Sequence, residues 1–176
     1  MISYKILSDA QSHYSLLGYS YVEVPWTVTP EIAALTKPLE MDFLGDYFLP
    51  KKGKTLVGSA EQSFLYQYSK GFLPRGKFQA ITPCFREDIH DVTHEKAFMK
   101  LELIDTTNSK PSMDNLVDMV ENARDFFSRY ILPEHIENLK IVSVGDTFDI
   151  EYEGIEIGSY GIRDVGFMSY IYGTIS

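Results

Sequence analysis

The chain has 176 residues, of which 44 % are hydrophobic and 14 % aromatic, and this is enough apolar material for one domain with a real core. Its formal net charge of -9 argues against a nucleic-acid binder with a broad basic surface, because phosphate neutralisation supplies most of that affinity. The sequence has no apolar run near the roughly 18 residues that cross a bilayer, and its single cysteine, Cys84, excludes an internal disulfide. We therefore expect a soluble, cytoplasmic protein with no membrane partner, and Cys84 as a small buried residue.

The first part of the chain predicts helices and short strands. Ile2, Ile6, Ala10, His13 and Leu17 recur at the spacing of a helix with one buried face, and a glycine stop follows at residue 18. The segment "YSYVEVPW" is aromatic and β-branched and is interrupted by a proline, which predicts a strand that ends or lies at an edge. "TPE" at residues 29–31 predicts a helix start, and "DYFLPKKGKTLVG" predicts a hairpin with "PKKGKT" as its solvated turn.

The remaining elements predict the fold class. Ser59 or Ala60 begins a helix that Gly71 ends. "KFQAITPCF" and "AFMKLELID" predict two strands, "SMDNLVDMVENARDFFSRYIL" predicts the clearest helix, and the segment from Lys140 onward is mostly strand with glycine-marked turns. Because hairpin-joined strands run antiparallel, this order predicts an α+β domain, a mainly antiparallel sheet flanked by helices.

A dense mixture of charges separates the two middle strands, in "TPCFREDIHDVTHEKAFMKLELID". Residues two apart in a strand share a face, so Arg86 projects with Asp88, and Phe98 projects with Lys100 and Glu102. An arginine, a carboxylate and an aromatic ring on one face suit a nucleotide, with the guanidinium on phosphate and the ring on the base. The alternative is a surface hairpin whose charges are only solvated.

The same segment resembles the second signature motif of class II aminoacyl-tRNA synthetases, a strand with Phe-Arg-x-Glu/Asp, a loop, His or Arg, a Phe and a later acid. The matching positions are Phe85, Arg86, Asp88, His94, Phe98 and Glu102. The resemblance implies that Arg86 binds the ATP α-phosphate and the acyl carboxylate, while His94 reaches the γ-phosphate and Phe98 stacks on adenine. It places Asp88 and Glu102 in the same ATP site. One departure is Ala97, where many members carry Glu.

A later segment, "FDIEYEGIEIGSYGIRD", resembles the strand pair of the aspartyl and asparaginyl branch and of ammonia-dependent asparagine synthetase. The resemblance implies that Asp149 and Glu156 help to hold Mg²⁺ on the ATP phosphates, and that Ser159 and Arg163 belong to the amino-acid site. Mg²⁺ prefers one or two carboxylates plus phosphate oxygens, and Arg suits a substrate carboxylate. Without the resemblance, the two acids would be exposed strand residues, and Arg163 would pair with Asp164 or Glu156.

Two looser resemblances involve the first third of the chain. "LLGYSYVEVPWTVTPEI" resembles the first class II motif, whose proline, here Pro25, lies at the dimer interface of the family and implies a homodimer. "GSAEQSFLYQYSKGF" resembles the segment that binds the substrate α-ammonium group in several members, with Glu61 and Gln62 as the matching residues. The alternative for Glu61 and Gln62 is an ordinary helix N-terminus.

The sequence also departs from the family. A third motif, rich in glycine and ending in an Arg on the γ-phosphate, should follow Arg163, but only "DVGFMSYIYGTIS" remains, and Gly173 and Thr174 are at most its beginning. No anticodon-binding domain is recognised. We therefore predict a single class II synthetase-like catalytic domain over residues 1–176, with C-terminal truncation left open.

Two functions follow from the resemblance. In the first, ATP and an amino acid form an aminoacyl-adenylate and pyrophosphate, with Arg86, His94 and Mg²⁺ acting through positioning and charge neutralisation. Arg163 favours an acidic amino acid such as aspartate, and tRNA, a carrier or ammonia would accept the acyl group. In the second, the chain is a catalytically inactive relative that serves as a dimeric regulatory or interaction module. A tRNA-binding fragment is disfavoured by the acidic charge.

Overall fold

The computed structural model describes residues 4–36, 47–85, 97–131 and 133–176. Four α-helices lie in these ranges: α1 at Tyr4–Leu16, α2 at Pro30–Ala34, α3 at Ala60–Ser69 and α4 at Met113–Ser128, with a 3-10 helix at Pro133–Asn138. The strands are β1 Ser20–Tyr21, β2 Thr27–Val28, β3 Phe48–Leu49, β4 Lys54–Leu56, β5 Lys77–Phe85, β6 Ala97–Asp105, β7 Leu139–Val144, β8 Thr147–Tyr152, β9 Ile155–Asp164 and β10 Ser169–Ile175.

Seven strands form the main sheet in the order β1-β5-β6-β10-β9-β8-β7. Every neighbouring pair is antiparallel except β1 and β5, which run parallel. The predicted α+β class, with a mainly antiparallel sheet flanked by helices, is confirmed. The predicted edge strand is also correct, although only Ser20 and Tyr21 form it. The predicted hairpin, β3 and β4, belongs to a separate three-stranded sheet with β2, which the sequence did not indicate.

Local sequence explains where the helices begin and end. The Ser59 side chain accepts a hydrogen bond from the Glu61 N–H at the start of α3, and Ser112 and Asn115 form a capping box at the start of α4. Gly71, two residues beyond α3, has a φ of 72°, a left-handed conformation that glycine adopts without a Cβ clash. These signals place both bounds of α3 and the start of α4 within one or two residues of the predicted ones, whereas α4 ends at Ser128, four residues before the end of its predicted segment.

One face of the main sheet is apolar and is covered by α1 and α4. The buried residues of this core include Leu7, Ala10, Tyr14, Leu101, Leu103, Leu116, Val120, Ala123, Phe126, Ile150, Tyr160 and Ile171. The buried face of α1 consists of Leu7, Ala10, His13 and Tyr14. The predicted face was therefore partly wrong: Ile6 and Leu17 are only partly buried at its edge, and residue 2 lies outside the described ranges.

The opposite face of the sheet carries α3. Ala60, Phe64 and Leu65 of α3 pack with Phe78 and Ala80 of β5 in a second apolar cluster. This cluster covers only part of the face. Beside it the sheet presents polar and charged side chains, and α3 brings its own polar N-terminus against them.

Candidate functional site

The polar face of the sheet is identified by strand register, because directly opposed residues of neighbouring strands point to the same side. Glu102 of β6 is opposite Ala80 of β5 and Thr174 of β10. Tyr170 and Tyr172 of β10 are opposite Arg163 and Gly161 of β9, and Ser159 of β9 is opposite Asp149 of β8. The face therefore holds, across four strands, these side chains: Phe98, Lys100, Glu102, Tyr170, Tyr172, Thr174, Ser159, Arg163 and Asp149.

An ion pair between a partly exposed arginine and a buried glutamate joins α3 to this face. Nε of Arg163 lies 3.3 Å from Oε1 of Glu61, and its Nη1 donates to the Thr36 carbonyl over 2.7 Å. The guanidinium also lies 4.9 Å from the centroid of the Tyr172 ring, a cation–π contact. Neither salt bridge considered from the sequence is the one formed: the Asp164 carboxylate accepts from the Gly166 N–H and the Ser169 hydroxyl instead.

Tyr170 forms a hydrogen bond with Glu61, the acidic residue of this ion pair. Its hydroxyl donates to Oε1 of Glu61 over 2.6 Å, and its side chain is fully buried. Burial, followed by the Glu61 carboxylate, raises the pKa of Tyr170 well above its ordinary value, so the phenol remains a donor. Burial raises the pKa of Glu61 to about 7, although the Arg163 charge and the Tyr170 hydrogen bond act in the opposite direction. Glu61 thus titrates near neutral pH.

Glu102 is bound by protein donors on both carboxylate oxygens. Its Oε2 accepts from the Ser59 hydroxyl over 2.5 Å and from the Glu61 N–H over 3.1 Å, and its Oε1 accepts from the Cys84 thiol over 3.4 Å. A carboxylate at the first turn of α3 interacts favourably with the helix dipole. The geometry makes Glu102 an anchor for the N-terminus of α3. The prediction that it binds ATP directly stays a prediction.

Gln62 has a structural use. Its amide Nε2 donates to the Ala33 carbonyl over 3.2 Å and to the Thr36 hydroxyl over 3.1 Å, and its Oε1 accepts from the Gly58 N–H over 2.9 Å. These bonds fix the end of α2 against the start of α3. Glu61 and Gln62 lie in the first turn of a helix, as the alternative required, and Glu61 also faces the polar side of the sheet; the prediction that they bind the substrate α-ammonium group stays a prediction.

The two predicted magnesium ligands are not opposite each other in the sheet. Asp149 is paired with Ser159, whereas Glu156 is paired with Glu151 beyond a shift in register. The Ser159 N–H donates to the Thr174 hydroxyl over 3.0 Å, which fixes this part of β9 against β10. The described ranges contain no cluster of three or more His, Cys, Asp or Glu side chains able to hold a metal. A Mg²⁺ ion carried by ATP requires only one or two protein carboxylates.

The structure describes some of the remaining residues that the sequence analysis singled out and not others. Phe98 is half-buried on the polar face with the Lys100 ammonium group 5.3 Å from its ring centroid. The Pro25 carbonyl accepts the Ser63 hydroxyl over 2.6 Å, which ties α3 to the segment before β2. Arg86, Asp88 and His94 lie outside the described residues. Cys84 is fully buried, as predicted.

The sequence interpretation missed two tyrosines of the site, Tyr170 and Tyr172. The signal was present as an alternation, because "SYIYGTI" places Tyr170, Tyr172 and Thr174 two residues apart and therefore on one face of a strand. The family resemblance concerns only Gly173 and Thr174 in this segment and gives the two tyrosines no role.

Solved structures support the fold. The chain matches the structure of PylSc, a pyrrolysyl tRNA synthetase from Desulfitobacterium hafniense, with a TM-score of 0.72, 17 % identity, and coverage of 97 % of this chain and 62 % of that chain. A crystal structure of pyrrolysyl-tRNA synthetase from the same organism gives a TM-score of 0.72 at 15 % identity, covering 97 % of this chain and 65 % of that one. The fold is that of a class II synthetase catalytic domain.

Sequence comparison agrees with this similarity. The serine–tRNA ligase of Thermotoga neapolitana is 28 % identical over 149 residues, covering 76 % of this chain and 35 % of the ligase. The serine–tRNA ligase of Fusobacterium nucleatum is 26 % identical with the same coverage. The chain thus spans about a third of the length of these relatives. No family model matches the chain. The similarity is to class II synthetase catalytic domains, and the finer resemblance to the aspartyl and asparaginyl branch is not confirmed.

Within the described residues, no helix combines the length and the apolar character needed to cross a bilayer.

Proposed function

We propose that this chain binds ATP and an amino acid on the polar face of its sheet and forms an aminoacyl-adenylate. The observation that carries the proposal is the Glu61–Arg163 pair. It joins two residues from separate sequence resemblances in one place, with Nε and Oε1 3.3 Å apart. The class II fold and the similarity to serine–tRNA ligases support the same reaction class.

The described residues fit a nucleotide in part. Phe98 offers a half-buried ring on the same face as Asp149, which is partly exposed and would supply a carboxylate to a Mg²⁺ ion on phosphate. Arg86 and His94 are proposed to contact the phosphates, with Asp88 nearby, by resemblance alone. Mg²⁺ would supply charge neutralisation on the phosphates, and the substrate carboxylate would be the nucleophile, so no general base is required.

Two classes of amino acid are candidates for the substrate. The resemblance favours an acidic amino acid such as aspartate, with Arg163 on its side-chain carboxylate. The structure also supports an amino acid with an uncharged side chain, because the Arg163 charge is already compensated by Glu61. A second carboxylate would have to displace Glu61 or add an uncompensated charge to a buried site.

The test is ATP–pyrophosphate exchange with each of the twenty amino acids in the presence of Mg²⁺. We expect exchange with one amino acid and its loss in Arg86→Ala, with Arg124→Ala as the matched control, since Arg124 is exposed on α4 and its one ion pair among the described residues is with Glu121. Exchange with aspartate would support the acidic substrate, and exchange with an uncharged amino acid would support the compensated pair.

If none of the twenty amino acids supports ATP–pyrophosphate exchange, the proposal is overturned in favour of a catalytically inactive module. Calorimetry with ATP alone would then separate a nucleotide-binding module from one that binds none.

Homodimerisation through the Pro25 region is a further part of the proposal. Sedimentation of the chain at several concentrations tests it, and a concentration-independent monomer would contradict it. Transfer of the acyl group to tRNA is not proposed, because the net charge of -9 offers no broad basic surface.

A further inference from the structure

Tyr170 and Glu61 form a buried hydrogen bond beside the proposed amino-acid site. The Tyr170 hydroxyl lies 2.6 Å from Oε1 of Glu61, and the same oxygen is 3.3 Å from Nε of Arg163. Oε1 therefore has two protein partners. Among the described residues, Oε2 of Glu61 has no hydrogen-bond partner, although Glu61 is only 7 % exposed.

A carboxylate with partners on one oxygen and none described on the other can receive a cation on that second oxygen. The α-ammonium group of an amino acid is the cation that the proposed reaction brings to this face. We propose that Tyr170 is a positioning residue for the amino-acid subsite, whose hydroxyl holds Oε1 of Glu61 against Arg163 and leaves Oε2 for the α-ammonium group of the substrate. The proposal rests on the proposed function.

The arrangement also controls the charge of Glu61. Among the described residues, the ionisable groups that interact with it are Arg163 on β9, Tyr170 and Tyr172 on β10, and Glu102 on β6, while Lys100 on β6 and Asp149 on β8 carry the other charges of this face. Arg163 and the Tyr170 hydrogen bond stabilise the carboxylate form, whereas burial and the Glu102 charge oppose it. Because the pKa of Glu61 is about 7, losing one stabilising contact changes its ionisation within the working pH range.

Tyr170→Phe tests this role because it removes the hydroxyl and keeps the ring. A lost hydrogen bond to a charged group is expected to raise the pKa of Glu61 by about one unit. The ionised fraction at pH 7 then falls from about one half to about one eleventh, so the KM for the amino acid should rise about fivefold. At pH 9 the carboxyl is ionised in both proteins, and the two KM values should agree.

Tyr160→Phe is the matched control. Tyr160 is fully buried on β9, but it faces the helix-covered side of the sheet, away from Glu61. This change should alter neither the pKa of Glu61 nor the KM at either pH. Equilibrium unfolding of all three proteins shows that each variant is folded.

A direct measurement separates this proposal from the proposed function. Glutamate carbonyl signals of ¹³C-labelled protein are followed from pH 4 to pH 10, with Glu61→Gln identifying the Glu61 signal. A Glu61 titration that moves upward in Tyr170→Phe, together with a KM effect at pH 7 that vanishes at pH 9, supports the proposal. The same titration shift without exchange on any amino acid supports the control of Glu61 by Tyr170 and overturns the proposed function. An unchanged Glu61 titration, or a KM effect equal at both pH values, overturns the proposal.

Discussion

The two faces of the main sheet differ in the kind of side chain that they bury. The face under α1 and α4 is packed with apolar side chains such as Leu103, Phe126 and Ile171. The face under α3 buries charged groups instead, and Glu61, Lys100 and Glu102 are each no more than 7 % exposed. Apolar burial is non-directional and proportional to area, whereas a buried charge is tolerated only with a partner. One face therefore supplies stability, and the other holds chemical groups in fixed geometry.

The largest expected effect lies on the apolar face. Phe126→Ala removes a ring that is 1 % exposed in the core between α4 and the sheet, and it should lower the free energy of unfolding by about 3–5 kcal/mol. Val117 lies on the same helix and is 40 % exposed, so Val117→Ala should lower the free energy of unfolding by less than about 1 kcal/mol. Urea unfolding measures both. Equal losses would show that α4 is not packed as described.

The second prediction tests the ion pair of the polar face. Arg163→Met leaves Glu61 without its charged partner, and the side chain of Arg163 is 28 % exposed, so we expect a loss of about 2–3 kcal/mol at pH 9, below that of a fully buried pair. At pH 6 the Glu61 carboxyl is largely protonated, because its pKa is about 7, and the loss should be smaller, since it then comes mainly from the Thr36 and Tyr172 contacts of Arg163. The difference in unfolding free energy between the two proteins should therefore grow with pH.

The double variant Glu61→Gln with Arg163→Met provides the control for this prediction. It removes both charges, so its stability relative to wild type should not follow the same pH dependence between pH 6 and pH 9. An Arg163→Met effect that is constant over this range would contradict the assignment of the pair.

A smaller effect is expected at Glu102. Glu102→Gln keeps one acceptor oxygen but removes the charge at the first turn of α3, next to the Ser59 hydroxyl and the Glu61 N–H. The expected loss is about 1–2 kcal/mol. Glu121→Gln on the exposed surface of α4 is the matched control and should be close to neutral. Thermal unfolding compares them, and an equally neutral Glu102→Gln would remove its anchoring role.

The smallest prediction compares the two helix caps. Ser112→Ala should cost about 1 kcal/mol through loss of the capping box of α4. Ser59→Ala should cost somewhat more, because the Ser59 hydroxyl both accepts from the Glu61 N–H and donates to Glu102. Unfolding by denaturant gives both values. A larger loss at Ser112 would mean that the Glu102 contact contributes little.

The bounds of several strands and the ends of helices were predictable from sequence, because residues close together in the chain determine them. The bounds of β5 and β6 match the predicted segments, and the stops at Gly18 and Gly71 are glycines with positive φ. The fold class followed from the hairpins. The partner of Arg163 was not predictable, because Glu61 comes from a helix that only the folded sheet brings to β9. Tyr170 and Glu61, 109 residues apart, meet for the same reason.

The strand order has a consequence for the synthesis of the protein. β10, which leaves the ribosome after every other described strand, lies between β6 and β9 and pairs with both. Until residues 169–175 emerge, β1-β5-β6 and β7-β8-β9 have no shared hydrogen bonds, and Tyr170 is not yet present beside Glu61. The closure of the sheet and the assembly of the proposed amino-acid subsite thus both require β10, and both depend on long-range pairing rather than on local propensity.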